Sequence, residues 1–212
     1  MADYMRARSK DQKRERLEEA MRVTDALFAD VPYSDITLSS IASAMSISRS
    51  NLYKYITTKE EIFLELYLEK QNAFYLSLKE ALCSQKKITT DMLTEILVTL
   101  LNRHTDYLRY QNILTSIIEV NVSVEALASF KKQCMPILND TLALFQCCSF
   151  IPQNEISGFF WGMIHYACGM IGGCQSNSMI SEALALAGLP EIKHDFCKEL
   201  KHFIEIYLNG LQ

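Results

Sequence analysis

Residues 37–61, Thr-Leu-Ser-Ser-Ile-Ala-Ser-Ala-Met-Ser-Ile-Ser-Arg-Ser-Asn-Leu-Tyr-Lys-Tyr-Ile-Thr-Thr-Lys-Glu-Glu, leave few options for the fold around them. Leu38, Ile41, Ala42 and Met45 recur at three- and four-residue spacing, the apolar face of a two-turn helix. Thr37 precedes it as an N-cap, its hydroxyl placed to satisfy free backbone N–H groups. Ser46-Ile47-Ser48 is a three-residue turn, and Ser48 caps a third short helix, Arg49 to Ile56, held to the core through Ile47, Leu52 and Ile56. Thr58 and Glu61 then match a capping box and open a long helix reaching about Cys83.

The rest of the chain reads as helical too. Seven glycines and four prolines are few for 212 residues, and an apolar fraction of 49% with 22% charged residues supports a sizeable core. A first helix from about Lys10 to Ala29 carries one buried stripe, Leu17, Ala20, Met21, Thr24, Leu27 and Phe28, and ends near Pro32. Further helices are expected at roughly 90–103, 106–120, 123–145, 154–173, 178–187 and 190–209, with Pro152 and Pro190 in first turns and Gly188 and Gly210 as stops. The predicted class is all-α, with about nine or ten helices.

The net charge of −4 is unevenly spread. Arg6, Arg8, Lys10, Lys13, Arg14 and Arg16 concentrate positive charge near the start, while residues beyond 60 carry the acidic excess. Local charge governs attraction to a polyanion, because screening confines each charge to about 8–10 Å. Seven cysteines show neither zinc spacing nor a disulfide framework, and no signal-type apolar stretch begins the chain, so a reducing cytoplasm is the expected compartment.

A helix-turn-helix lays its second helix in the major groove, with its N-terminal residues at the base edges. Here that start offers Arg49, Ser50 and Asn51, then Tyr53 and Lys54, on the side away from Leu52 and Ile56. Arg can bond guanine and Asn adenine in bidentate fashion, whereas Tyr53, Tyr55 and Lys59 suit phosphates. Taken in order with Ala26-Leu27-Phe28, Tyr33, Thr37, Ile41-Ala42, Ile47-Ser48, Leu52-Tyr53, Tyr55 and Lys59-Glu60-Glu61, these residues resemble the TetR family of bacterial transcriptional regulators. The resemblance implies a DNA-binding head at 14–74 (helix-turn-helix 37–56), a ligand-binding and dimerisation body at 75–212, and a homodimer that usually represses. It implies DNA-facing positions at Thr37, Arg49, Ser50, Asn51, Tyr53, Lys54, Tyr55 and Lys59. The expected partners are a palindromic double-stranded operator, a second copy of the chain and an unknown, apolar or aromatic small-molecule effector. Pro32 and Ser46 stand where the family commonly has Gly, and Ile56 replaces an aromatic residue.

Between Glu155 and Glu182 no Asp, Glu, Lys or Arg occurs, and Gly158/Gly162 and Gly169/Gly173 each form G-x-x-x-G. A membrane span would need a longer apolar run without a central His165. A buried dimer helix needs the same small residues, so the expected dimer face is Phe159, Gly162, Tyr166 and Gly169 with Phe203 and Tyr207, Trp161 adding a further anchor. Candidate effector contacts are Phe74, Arg103, His104, Tyr107, Tyr110, Glu119, Asn121 and Trp161.

Three other readings compete. His165/Cys168 and His194/Cys197, each three residues apart, offer a metal- or redox-responsive set, whereas adjacent Cys147 and Cys148 are sterically poor for chelation by both thiols. A helical interaction module without DNA affinity would need a degenerate head. No Ser-His-Asp order, phosphate loop or paired carboxylates suggest an enzyme, and no cofactor or resident metal is expected.

Overall fold

Every regular element among the described residues is helical, as the sequence predicts. The computed structural model describes residues 2–174, 178–190 and 193–211, with side chains at 14–171, 179–190 and 193–211. The helices are α1 Ala2–Asp30, α2 Leu38–Ala44, α3 Arg49–Leu52, α4 Lys59–Cys83, α5 Thr90–Arg103, α6 Thr105–Ile113, α7 Val124–Leu144, α8 Ile156–Cys174, α9 Ser178–Leu186 and α10 Phe196–Asn209.

α1 begins at Ala2 rather than near Lys10. Three further boundaries differ from expectation, each because a local hydrogen bond wins. α3 stops at Leu52 rather than Ile56, since the N–H groups of Lys54 and Tyr55 reach back only three residues, to Asn51 and Leu52. The single helix expected at 106–120 breaks after Ile113 into a π-helical turn, Leu114–Ile118, and a 3₁₀ turn, Glu119–Asn121. Asn121 Nδ2 takes the Ile117 carbonyl at 2.6 Å, the acceptor that a regular helix would give to the Asn121 backbone. α10 begins at Phe196, not Pro190, because Asp195 accepts the Lys198 N–H at 3.0 Å while its own N–H donates to Glu199.

α2 ends in a Schellman motif. Ile47 N–H reaches Ala42 O and Ser46 N–H reaches Ser43 O, both at 3.0 Å, which forces Ser46 to φ 55°. The same bonds close α9, where Gly188 takes φ 65°. A side chain in this left-handed region costs about 1–2 kcal/mol, so α2 carries a strain that α9 avoids.

The packing divides the chain into two units, Met1–Glu69 with Leu114–Lys132, and Lys70–Ile113 with Gln133–Gln212. In the first, Ala20, Phe28, Ile36, Ile41, Leu52, Ile62 and Phe63 are buried, and the Phe63 ring meets Phe28 and Tyr33 edge-on at 5.2 and 5.1 Å. Thr24 lies fully buried in the α1 stripe with its hydroxyl unsatisfied. In the second, α10 buries Leu200, Ile204 and Leu208, one side of a helix packed on α5 and α8. Phe145 sets its ring against Phe159 and Phe160 of α8, and Cys168 Sγ lies 3.5 Å from the Leu108 carbonyl of α6. No helix of the described residues is long and apolar enough to cross a membrane.

Candidate nucleic-acid interface

Capping chemistry fixes the frame. Thr37 and Ser40 exchange hydrogen bonds, Ser40 N–H to Thr37 Oγ1 at 3.0 Å and Thr37 N–H to Ser40 Oγ at 2.9 Å, so a serine fills the role usual for Glu or Gln. Ser48 Oγ accepts from Asn51 N–H at 3.2 Å and lies 3.1 Å from Ser50 Oγ. Leu52 and Ile56 are buried, at 1% and 2% exposure, and form the keel of the segment. Arg49, Ser50, Tyr53 and Lys54 stand exposed with Thr37, and Asn51 and Tyr55 are half-buried. Arg49 is held one turn from its partner: Nη2 donates to the Tyr53 hydroxyl at 2.6 Å, and the guanidinium carbon lies 5.2 Å from the ring centre. That hold is exposed and weak, leaving the fork available to a stronger acceptor.

Lys59 behaves differently from the expected phosphate contact. Its ammonium donates to the carbonyls of Tyr33 at 2.9 Å and Ile36 at 2.6 Å, and sits 3.7 Å above the Tyr33 ring centre. Tyr33 in turn donates its hydroxyl to Glu60 Oε1. Burial lowers the Lys59 pKa against the opposing pull of Glu60 and Asp35, while burial and then the Glu60 bond raise that of Tyr33. Two of three ammonium protons are thus committed to clasping the α1–α2 connection. The expected Thr58/Glu61 capping box is also shifted: Glu61 N–H reaches Thr58 Oγ1 only at 3.4 Å, and Glu61 Oε2 accepts from Thr57 at 3.1 Å.

A residue that sequence reasoning missed is Arg22. It lines an open recess of about 530 Å³ with Glu15, Arg16, Glu19 and Tyr55, where it adds positive charge beside a half-buried phenol. Its place inside the amphipathic pattern of α1 hid it. The side chains of Arg6, Arg8, Lys10 and Lys13 lie outside the described residues.

Of the expected effector contacts, Phe74, His104 and Tyr107 come together. Phe74 stacks on Tyr107 at 5.2 Å and meets His104 at 5.9 Å, and His104 Nε2 lies 3.0 Å from Ser77 Oγ. Burial lowers the His104 pKa, Asp106 opposing it. Tyr110 is buried and Arg103 exposed. Trp161 is half-buried and stacked on His165 at 5.5 Å. Glu119 and Asn121 belong to the other unit, where they bond Lys131 and the Ile117 carbonyl. Gln71, one turn before Phe74, was not anticipated: it is 5% exposed and its Oε1 has no partner. An orphaned buried acceptor costs about 1–3 kcal/mol, a reason to look for an incoming donor.

The expected dimer face needs correction. Phe159 is fully buried against Phe145 and Tyr207 and presents nothing outward. Gly162 serves the chain itself, since a Cβ there would come within 3.3 Å of the Tyr207 ring, and at Gly158 within 3.2 Å of its hydroxyl. Tyr166 and Phe203 stack at 4.3 Å and remain half-buried, Ile206 is 59% exposed, and a Cβ on Gly169 would meet nothing within 4 Å. The side of Gly173 lies outside the described residues. The metal-responsive set does not assemble. His165 is exposed while Cys168 is buried, His194 pairs with Glu199, and among the described residues no group of three or more His, Cys, Asp or Glu could hold an ion.

Residues 20–66 match the family of bacterial regulatory proteins named for tetR, and residues 68–212 match the tetracyclin repressor-like C-terminal domain. Similar solved structures include a TetR-family transcriptional regulator from Mesorhizobium loti, at 14% identity and TM-score 0.60, covering 94% of this chain and 96% of that one. Another, a TetR family transcription regulator from Marinobacter aquaeolei, is 17% identical with TM-score 0.53, covering 96% and 97%. No curated protein matches the chain.

Proposed function

Since the chain belongs to the TetR family of transcriptional regulators, we propose that it is a homodimeric repressor released from a palindromic operator by a small aromatic effector. The observation that carries the reading is the strip of Arg49, Ser50, Tyr53 and Lys54 left exposed above the buried Leu52 and Ile56. Arg49 and Asn51 read base edges, Tyr53, Lys54, Tyr55 and Thr37 hold phosphates, and Arg22 joins them beside Tyr55. Lys59 acts one step back, by fixing the connection that ends at Thr37.

Dimerisation uses the part of α8 and α10 that stays open: Tyr166, Gly169, Phe203 and Ile206. The two recognition helices then address half-sites about 34–36 Å apart, or somewhat more on a longer operator. The effector site is centred on Phe74, Tyr107 and His104, where Gln71 Oε1 selects a ligand bearing a donor. Binding favours one arrangement of the body over another, and α4, unbroken from Lys59 to Cys83, carries the change to the head. Such a regulator works in the cytoplasm. The test is a low-salt gel shift of the full chain on fragmented genomic DNA. Retention of a small set of fragments is expected, and no shift by folded dimer overturns the reading.

A further inference from the structure

The α7–α8 corner holds a pair of thiols that the DNA reading does not use. After α7 a 3₁₀ turn, Phe145–Cys147, runs into Cys148 at φ −94° and ψ 85°. Neighbouring side chains on a regular helix splay by about 100°. This turn instead brings the two Sγ atoms to 3.9 Å, so the adjacent cysteines are not sterically separated as their sequence suggests. Cys147 is exposed, its thiol 2.9 Å from the Leu144 carbonyl, and Cys148 is 1% exposed beneath it.

The spacing selects among the things two thiols can do. A disulfide would need the sulfurs to close to about 2.04 Å with the intervening peptide inside the ring. A soft atom bonded to both sulfurs at about 2.3 Å in a pyramidal arrangement spans a gap somewhat shorter than the one found, which a small rotation about the exposed Cys147 side chain closes. A zinc ion would want further protein ligands, and among the described residues none are assembled. The fitting ligand therefore asks for two sulfurs and brings the rest of its coordination with it.

We propose that Cys147 and Cys148 form a dithiol site for a monosubstituted trivalent arsenical. The reaction balances without any oxidant. The arsenic–oxygen double bond of R–As=O and both S–H bonds break, two As–S bonds form, and the oxygen leaves as water carrying both thiol protons. Arsenic stays trivalent throughout. Cys147, the accessible thiol, makes the first bond, and Cys148 closes the ring. The closure reaches α8, because Phe145 packs on Phe160 and Phe160 meets Trp161 at 5.4 Å. The site stands independently of whether the head reads DNA.

The probe is phenylarsine oxide added to the reduced full chain. One phenylarsenic group per chain is expected by intact mass, with a loss of two titratable thiols and a change in the fluorescence of Trp161, the single tryptophan. Peptide mapping should show Cys147 and Cys148 protected from iodoacetamide while Cys83 stays reactive. The adduct should survive excess 2-mercaptoethanol and be stripped by dimercaprol. Cys147→Ser, at an exposed position, should keep the fold and lose the monothiol-resistant adduct, and Cys83→Ser should keep both. Protection of a different cysteine pair, a wild-type adduct that the monothiol removes, or an unaltered adduct in Cys147→Ser overturns the assignment.

Discussion

In the α2–α3 segment the side chains with chemistry to offer face outward, whereas in the α8–α10 pair most of them face each other. Arg49, Ser50, Tyr53 and Lys54 are exposed over two buried aliphatic residues. Phe159, Tyr166, Phe203 and Tyr207 instead form a chain of ring contacts inside one protomer, made possible by glycines that let Tyr207 lie against α8. The surface proposed for DNA is built from short-range caps and left open. The seam proposed for a second copy shares its rings with the chain's own core, which leaves only its outer margin for that role.

That contrast breaks most sharply at the glycines. Gly162→Leu drives a side chain into Tyr207, and overpacking of this kind costs about 1–3 kcal/mol, read as a fall in urea midpoint. Gly169→Leu, which meets open space, should leave the urea midpoint nearly unchanged and weaken self-association in sedimentation. Equal unfolding effects from the two would erase the distinction between inner and outer faces of α8.

Next comes the clasp. Lys59→Met removes two charge-assisted bonds on a part-exposed group, so a loss of about 1–2 kcal/mol is expected once solvent screening is discounted. DNA affinity should fall for all sequences while its salt dependence stays the same. A salt slope reduced by about one ion would return Lys59 to the phosphate contacts.

Ser46→Gly relieves the left-handed serine at the end of α2 and should raise stability by about 0.5–1 kcal/mol, the gain being trimmed by the backbone entropy of glycine. No gain would mean that the serine is not strained. The smallest effect belongs to His104. Burial lowers its folded pKa beneath the ordinary 6.5, so between the two values the unfolded chain binds more protons and stability drops as pH falls through that window. Melting temperatures at pH 7.5 and 6 should diverge less in His104→Gln than in the wild type. Comparing the two cancels the opposite trend of Glu65, whose carboxyl pKa burial raises.

Legibility in the sequence follows the range of the interactions. Thr37, Ser48, Ser46 and the apolar spacing of Leu52 and Ile56 act within four or five residues, and their reading carried over to the caps, the turn and the buried keel. The Lys59 clasp is not legible in the sequence because its partners, the Tyr33 and Ile36 carbonyls, are more than twenty residues away. The inward packing of Phe159 and Gly162 is hidden for a related reason: an apolar, glycine-rich helix reads the same whether it packs on its own chain or another. The α10 start was readable in Asp195 and Glu199, but Pro190 offered a competing first turn. Gln71 gave no signal at all, since an unpaired amide becomes visible only when its surroundings are known.

If the exposed face of α3 reads sequence as proposed, Arg49 is the residue whose loss shows it most directly. Binding of wild type and Arg49→Ala should be measured on a captured genomic fragment and on random DNA at one fixed salt concentration. A loss worth about 1–3 kcal/mol is expected on the captured fragment and a much smaller one on random DNA, concentrated at one base position of each half-site. Equal losses on the two DNAs would show Arg49 to be only a phosphate contact, and sequence reading by α3 would fall.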